Sequence, residues 1–166
     1  MAIDLVGATM AEARSDRPAD PAHVLARLTD WRERTHEFYD FVQAALGGDF
    51  TYDRAGKQRS AEELVQRAGI SADRLPVLDI LRIERPAGTL RAIVIPRGLL
   101  IIGANGRLEL RVLGPDMRQT QYFLVDKSQP LSGAQNAAWY LIGSSDPLEP
   151  RPITEKLLRE VIGASH

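Results

Sequence analysis

From Val24 the apolar residues recur at Leu28, Trp31, Phe38, Val42 and Leu46, at intervals of three, four or seven. At 100° per residue these positions share one face, which predicts an amphipathic helix packed on a core. Its start is written at Asp20-Pro21, an N-cap followed by the residue best suited to the first helical position. Gly47-Gly48 supplies the stop. A second, short helix is predicted over Ser60–Ala68, where Ser60 and Glu63 have capping-box spacing and Gly69 can close the end in a left-handed conformation.

The middle of the chain changes period. Val77–Glu84, Thr89–Ile95, Leu99–Gly103, Arg107–Leu113 and Thr120–Asp126 are short β-branched-rich runs separated by turn residues, and Trp139–Ile142 reads as one more strand. Connections this short require antiparallel neighbours, so a meander of five or six strands follows. Residues 53–59 read as a polar loop between the helices, and 127–138 as a loop of small and polar residues. The three prolines of 143–152 stop both periods. A last helix begins near Thr154 and buries Leu157, Leu158, Val161 and Ile162. Residues 1–19 are weakly periodic and read as a loosely ordered arm ahead of a single domain over 20–166. The predicted fold class is α+β, with a long N-terminal helix, a short capped helix, the meander and a C-terminal helix.

One motif invites a family comparison. Ile101-Ile-Gly-Ala-Asn-Gly106 resembles the Ile-Ile-Gly-x-x-Gly signature of KH domains, whose loop clamps a single-stranded RNA backbone. In KH domains that loop joins two helices, whereas here Arg107–Val112 alternate polar and apolar with period two. Asn-Gly between such runs predicts a hairpin turn instead. With Asn105-Gly106 at its centre, Leu99, Ile101, Leu108, Leu110 and Val112 face the core. Leu100, Ile102, Arg107, Glu109 and Arg111 then share the second face.

That second face mixes apolar and charged residues, and the neighbouring hairpin adds to it. Pairing Glu84 with Thr89 sets Arg82 opposite Arg91, and like charges in that position repel unless an anion or carboxylate intervenes. Arg82, Arg91, Arg107 and Arg111 are therefore candidates for binding an anion or a nucleic-acid phosphate. The competing reading is a solvated face whose arginines are paired by Glu84 and Glu109. A bulge at Pro96-Arg97-Gly98 would move arginines between faces. Leu100, Ile102, Ile93 and Ile95 are the candidate interface residues, because apolar surface beside arginine has the composition of a protein interface. Two-fold homodimers are the commonest soluble assembly, so self-association through this face is expected.

Composition narrows the function classes. With no cysteine among 166 residues, the chain has no disulfide, no thiol nucleophile and no cysteine-ligated metal. A net charge of −1 gives no chain-wide attraction to nucleic acid or anionic membrane. Eighteen of its 21 basic residues are arginine, which with abundant Ala, Gly and Pro points to a GC-rich bacterial genome. Met1–Met10 lacks the features of a secretory signal, and no apolar run is long enough to cross a bilayer, so the expected compartment is the cytoplasm. Glu33, His36, Glu37 and Asp40 read as a solvated helix face and not as a metal or acid–base site. There is no nucleophile elbow, phosphate-binding glycine loop or dinucleotide fingerprint. The expectation is a small non-catalytic interaction module with a protein partner and no cofactor or metal. A nucleic-acid or anion binder using the sheet arginines is second. A hydrolase with a site assembled from distant residues is third.

Overall fold

The computed structural model describes residues 20–59, 63–99, 104–143 and 149–163. Helix α1 (Pro21–Leu46) leads into strand β1 (Thr51–Arg59) and a short helix α2 (Glu63–Arg67). Strands β2 (Val77–Glu84), β3 (Leu90–Gly98), β4 (Arg107–Leu113), β5 (Gln119–Asp126), β6 (Trp139–Gly143) and β7 (Arg151–Pro152) follow. Helix α3 (Glu155–Leu158) ends the fold and continues as a π-helical turn over Arg159–Gly163. The seven strands form one antiparallel meander in sequence order. The architecture is α+β, with one strand more than the largest number the sequence suggests.

The termini of α1 form as their residues dictate. The Asp20 carboxylate accepts a hydrogen bond from the Ala22 N–H at 3.1 Å, and Gly47 takes a φ of 70° that only glycine adopts without strain. Every predicted core position of α1 is buried, and Ala45 and Tyr39 join them. Burial pushes the Tyr39 hydroxyl pKa up, the charge of Asp79 adds to this, and the hydroxyl donates to the Asp79 carbonyl at 2.7 Å. Against this helix lie Leu81, Ile83, Ala92, Val94, Leu108, Leu110, Val112, Leu124 and Leu141, the inward residues of β2 to β6. Val65 of α2 and Leu157, Leu158 and Ile162 of the C-terminal segment complete the core. Thr154 caps α3 by accepting from the Leu157 N–H at 3.1 Å. Ser60 and the arm 1–19 lie outside the described residues.

Four expectations need correction. Residues 51–59 are a strand, not a loop: Tyr52, Arg54, Gly56 and Gln58 alternate with exposed neighbours, and Lys57 pairs with Asp79 across the ladder at 2.6 Å. Charged residues of this kind are what edge strands carry. At the opposite edge β7 forms despite Pro152, since an edge position needs no second ladder donor.

Of the predicted strand Leu99–Gly103, residues 100–103 lie outside the described residues. Strand β4, however, has no free edge to pair with it in a hairpin centred on Asn105-Gly106, being bonded to β3 on one side and β5 on the other. Strand β3 continues through Pro96 to Gly98 and itself pairs with β4, its ladder bulging between Pro96 and Gly98. Gly106 has a φ of 128° but Asn105 is not in the positive-φ region, whereas the expected turn needs both there. Instead the Asn105 N–H donates to the Asp126 carbonyl at 2.6 Å, and the Asp126 N–H to the Gly106 carbonyl at 3.1 Å. Gly106 lies under Trp31, so closely that an added Cβ would stand 2.2 Å from the ring. Asn105 and Gly106 are both buried, so neither presents its backbone at the surface as a KH clamp would.

The last correction concerns Arg91. Glu84 pairs with Leu90 and Ile83 with Ala92, so Arg91 is the extra residue of a bulge. It turns to the helix side with Ala92, where its Nε donates to the Ile162 carbonyl at 2.7 Å and Nη1 to the Leu113 carbonyl at 2.5 Å. Arg82 therefore faces Ile93, not Arg91.

Candidate functional site

The helices cover one side of the sheet, and no described helix lies over the other. Register builds the open side row by row. Asp53, Arg82, Ile93, Arg111 and Gln121 form one row across β1 to β5. Ile95, Glu109, Phe123 and Ile142 form the next, and Arg107, Val125 and Tyr140 a third. Ile93, Ile95, Phe123, Tyr140 and Ile142 are half-buried, and they make an apolar centre.

Cations ring that centre. Arg82 pairs with Glu84 at 3.2 Å and keeps 40% of its side chain exposed. Arg97, displaced by the bulge, reaches Glu109 at 2.5 Å, and Arg111 grips the other oxygen of the same carboxylate. Burial opposes ionisation of Glu109, but hydrogen bonds from Arg97 and Arg111, helped by their charge, outweigh it and hold the carboxyl below its usual range. The Arg107 guanidinium lies 4.9 Å over the Phe123 ring, and its Nε has no hydrogen-bond partner among the described residues. Lys127 caps Tyr140 in the same way at 4.6 Å. Five cations thus meet three carboxylates, Glu84, Glu109 and, at the β1 edge opposite Arg82, Asp53.

Of the candidate arginines, the structure brings Arg82, Arg107 and Arg111 to this face and removes Arg91. Of the candidate interface residues, Ile93 and Ile95 are here, while Leu100 and Ile102 lie outside the described residues. Sequence reasoning missed Arg97, Phe123 and Tyr140. The alternation of β5 and β6 carried a signal for the two rings, but only the register places them beside arginines of β4.

It also missed a buried polar cluster on the covered side. Arg34 is wholly enclosed; its Nε donates to Asp30 at 2.8 Å, and its Nη1 to Asp126 at 2.5 Å and to the Asn105 carbonyl at 2.7 Å. Asp126 also accepts from the Ser128 N–H, the Ser128 hydroxyl and the Ala138 N–H. Arg27 donates to the Asn105 side chain at 3.2 Å. Two arginines and two aspartates balance, and the Asp126 carboxylate, bonded to both Arg34 and the loop N–H groups, holds the 127–138 loop onto α1. Arg27, Asp30 and Arg34 fall on one flank of the helix beside its apolar stripe, which is the signal that was available.

The helix face of Glu33, Glu37 and Asp40 is exposed as read, but His36 is half-buried on the other flank, its Nε2 3.3 Å from Asp79. Among the described residues no group of three or more His, Asp or Glu could hold a metal ion, and no helix is long and apolar enough to cross a membrane. Compared with known proteins, the chain matches no family model, no curated protein and no solved structure.

Proposed function

We propose that this chain is a non-catalytic binding module whose working surface is the open sheet face, and that it takes a protein partner presenting apolar residues among acidic ones. The observation that carries the reading is the excess of cations around Ile93, Ile95, Phe123 and Ile142. An apolar centre with an arginine-rich rim has the composition of protein interfaces, and unmatched rim charge selects a partner of opposite sign. A second copy meeting this face with its own would bring like charges together. Nucleic acid is served less well, since both rings already lie under the protein's own cations and the centre is largely aliphatic. The non-catalytic reading is supported by the hydroxyls of the 127–138 loop: Ser128 and Ser132 donate to Asp126 and to the Gln129 carbonyl.

The test uses the full chain and labelled short peptides in which Phe or Leu is flanked by Asp and Glu, with Lys-flanked peptides and oligodeoxythymidylate as alternatives. Anisotropy should show binding of the acidic peptides alone, weakened about tenfold or more by Arg82→Glu with Arg107→Glu. Three outcomes overturn the proposal. These are no binding of the acidic peptides, self-association abolished by the same substitutions, and oligonucleotide binding that falls steeply between about 50 and 200 mM salt.

A further inference from the structure

On the covered side, away from the sheet face, a cleft of about 400 Å³ opens between α1, the 127–138 loop and Ile153. Its size is within the range of small-molecule sites. Phe38 and Trp139 form an aromatic wall with ring centroids 4.9 Å apart, and Phe41 stands at the mouth, 41% exposed. A phenylalanine left in water beside a cleft is apolar surface that a ligand can cover. Arg34 borders the interior and Glu37 the outside.

Arg34 is the informative residue. Its Nε and Nη1 are engaged, yet Nη2 is buried with no acceptor among the described residues. This donor has already lost its water and belongs to a residue that borders the cleft, so an acceptor brought to it gains a hydrogen bond without a second desolvation of the donor. The sign of the ligand follows from the charges nearby. Asp30 and Asp126 cancel Arg34 and Arg27, and Glu37 adds a negative charge at the mouth. A carboxylate or phosphate would meet net repulsion, whereas a carbonyl would not.

We infer that this cleft is a binding site for a neutral, planar aromatic molecule carrying a carbonyl-type acceptor. The ring system stacks among Phe38, Phe41 and Trp139, and the acceptor points to Arg34 Nη2. The site is independent of the sheet face, so either can fail without the other.

The probes are naphthamide, its anionic counterpart naphthoate, and naphthalene, titrated into the full chain while the two Trp indole N–H signals are followed by NMR. Naphthamide should shift the Trp139 signal most, and that of Trp31, which lies 5.9 Å from the Trp139 ring and 5.1 Å beneath the Arg34 guanidinium, by less. Naphthoate should bind about tenfold more weakly, and Glu37→Gln should recover part of that loss. Naphthalene should also bind about tenfold or more weakly, for want of the acceptor. Phe41→Ala removes an exposed side chain without touching the core and should weaken naphthamide about tenfold. The inference is overturned if no probe moves the Trp139 signal, if naphthoate binds as well as naphthamide, or if Phe41→Ala leaves the titration unchanged.

Discussion

On the helix-covered side of the sheet, Arg34 has no solvent contact and two carboxylates within hydrogen-bonding distance, whereas on the open side Arg82 keeps 40% of its side chain in water and pairs with Glu84 alone. The same side chain serves two ends. Where low-dielectric surroundings enclose it, an arginine must be matched by opposite charge and by acceptors, and the match fixes the elements that supply them. Where water screens it, an arginine can stand in excess and remain available to a partner. The covered face spends its arginines on joining α1 to the 104–106 and 127–138 segments. The open face keeps an imbalance of charge.

The largest expected effect comes from breaking the buried match. Asp126→Ala strips Arg34 of one carboxylate and leaves the Ser128 and Ala138 N–H groups without their acceptor. Removing one member of a buried ion pair costs about 3–5 kcal/mol. Urea unfolding should show a loss in that range or greater. A loss under about 1 kcal/mol, the value of a surface pair, would erase the distinction between the two faces.

Next comes the packing that keeps the covered side closed. Trp31→Ala should cost about 3–5 kcal/mol as a large-to-small core substitution. Gly106→Val should also destabilise, because it combines a positive φ with a Cβ driven into the Trp31 ring. The two substitutions touch the same space, so their effects should not add. In the Trp31→Ala background Gly106→Val should lose its steric part and retain the backbone strain, about 1–3 kcal/mol. Strict additivity would mean that the two residues do not meet.

How much of this was legible follows from which forces are local. The caps of α1, its apolar stripe, and the turns at 85–88 and 114–116 depend on neighbours a few residues away, and they form where the chain spells them. The inward and outward sets of β4 were legible too, because alternation of Leu108, Leu110 and Val112 with Arg107, Glu109 and Arg111 survives any shift of two. Bulges are different. One extra residue at Arg91 sends that side chain to the helix side, and nothing in Leu90-Arg-Ala-Ile93 announces it. Strand β1 looked like a loop because an edge strand is judged by its ladder, and its ladder is formed by residues 18 to 33 positions away. The buried cluster was hidden for a related reason: Arg27 and Arg34 look solvated until Asn105 and Asp126 arrive from distant strands.

The smallest effects lie on the open face, and they separate its two kinds of arginine. Glu109 is itself buried (5% exposed), but the Arg97 and Arg111 that hold it keep about a third of their side chains in water (35%). Glu109→Gln should therefore cost about 1–2 kcal/mol at neutral pH, between a surface pair and the buried Asp126 match. Its carboxyl pKa is lower in the folded state than the ordinary 4.5. The carboxylate therefore stabilises the fold at pH above 4.5, and this contribution is lost as pH falls through the lower folded value. The stability gap between the native chain and Glu109→Gln should accordingly close on acidification below that point. Arg82→Ala removes a screened partner of Glu84 and should change stability by no more than about 0.5 kcal/mol. Parallel denaturation curves at neutral and acid pH check both. An Arg82→Ala loss as large as that of Glu109→Gln would mean that Arg82 is committed to the fold, and the surplus of charge that makes this face a candidate surface would shrink to Arg107 and Lys127.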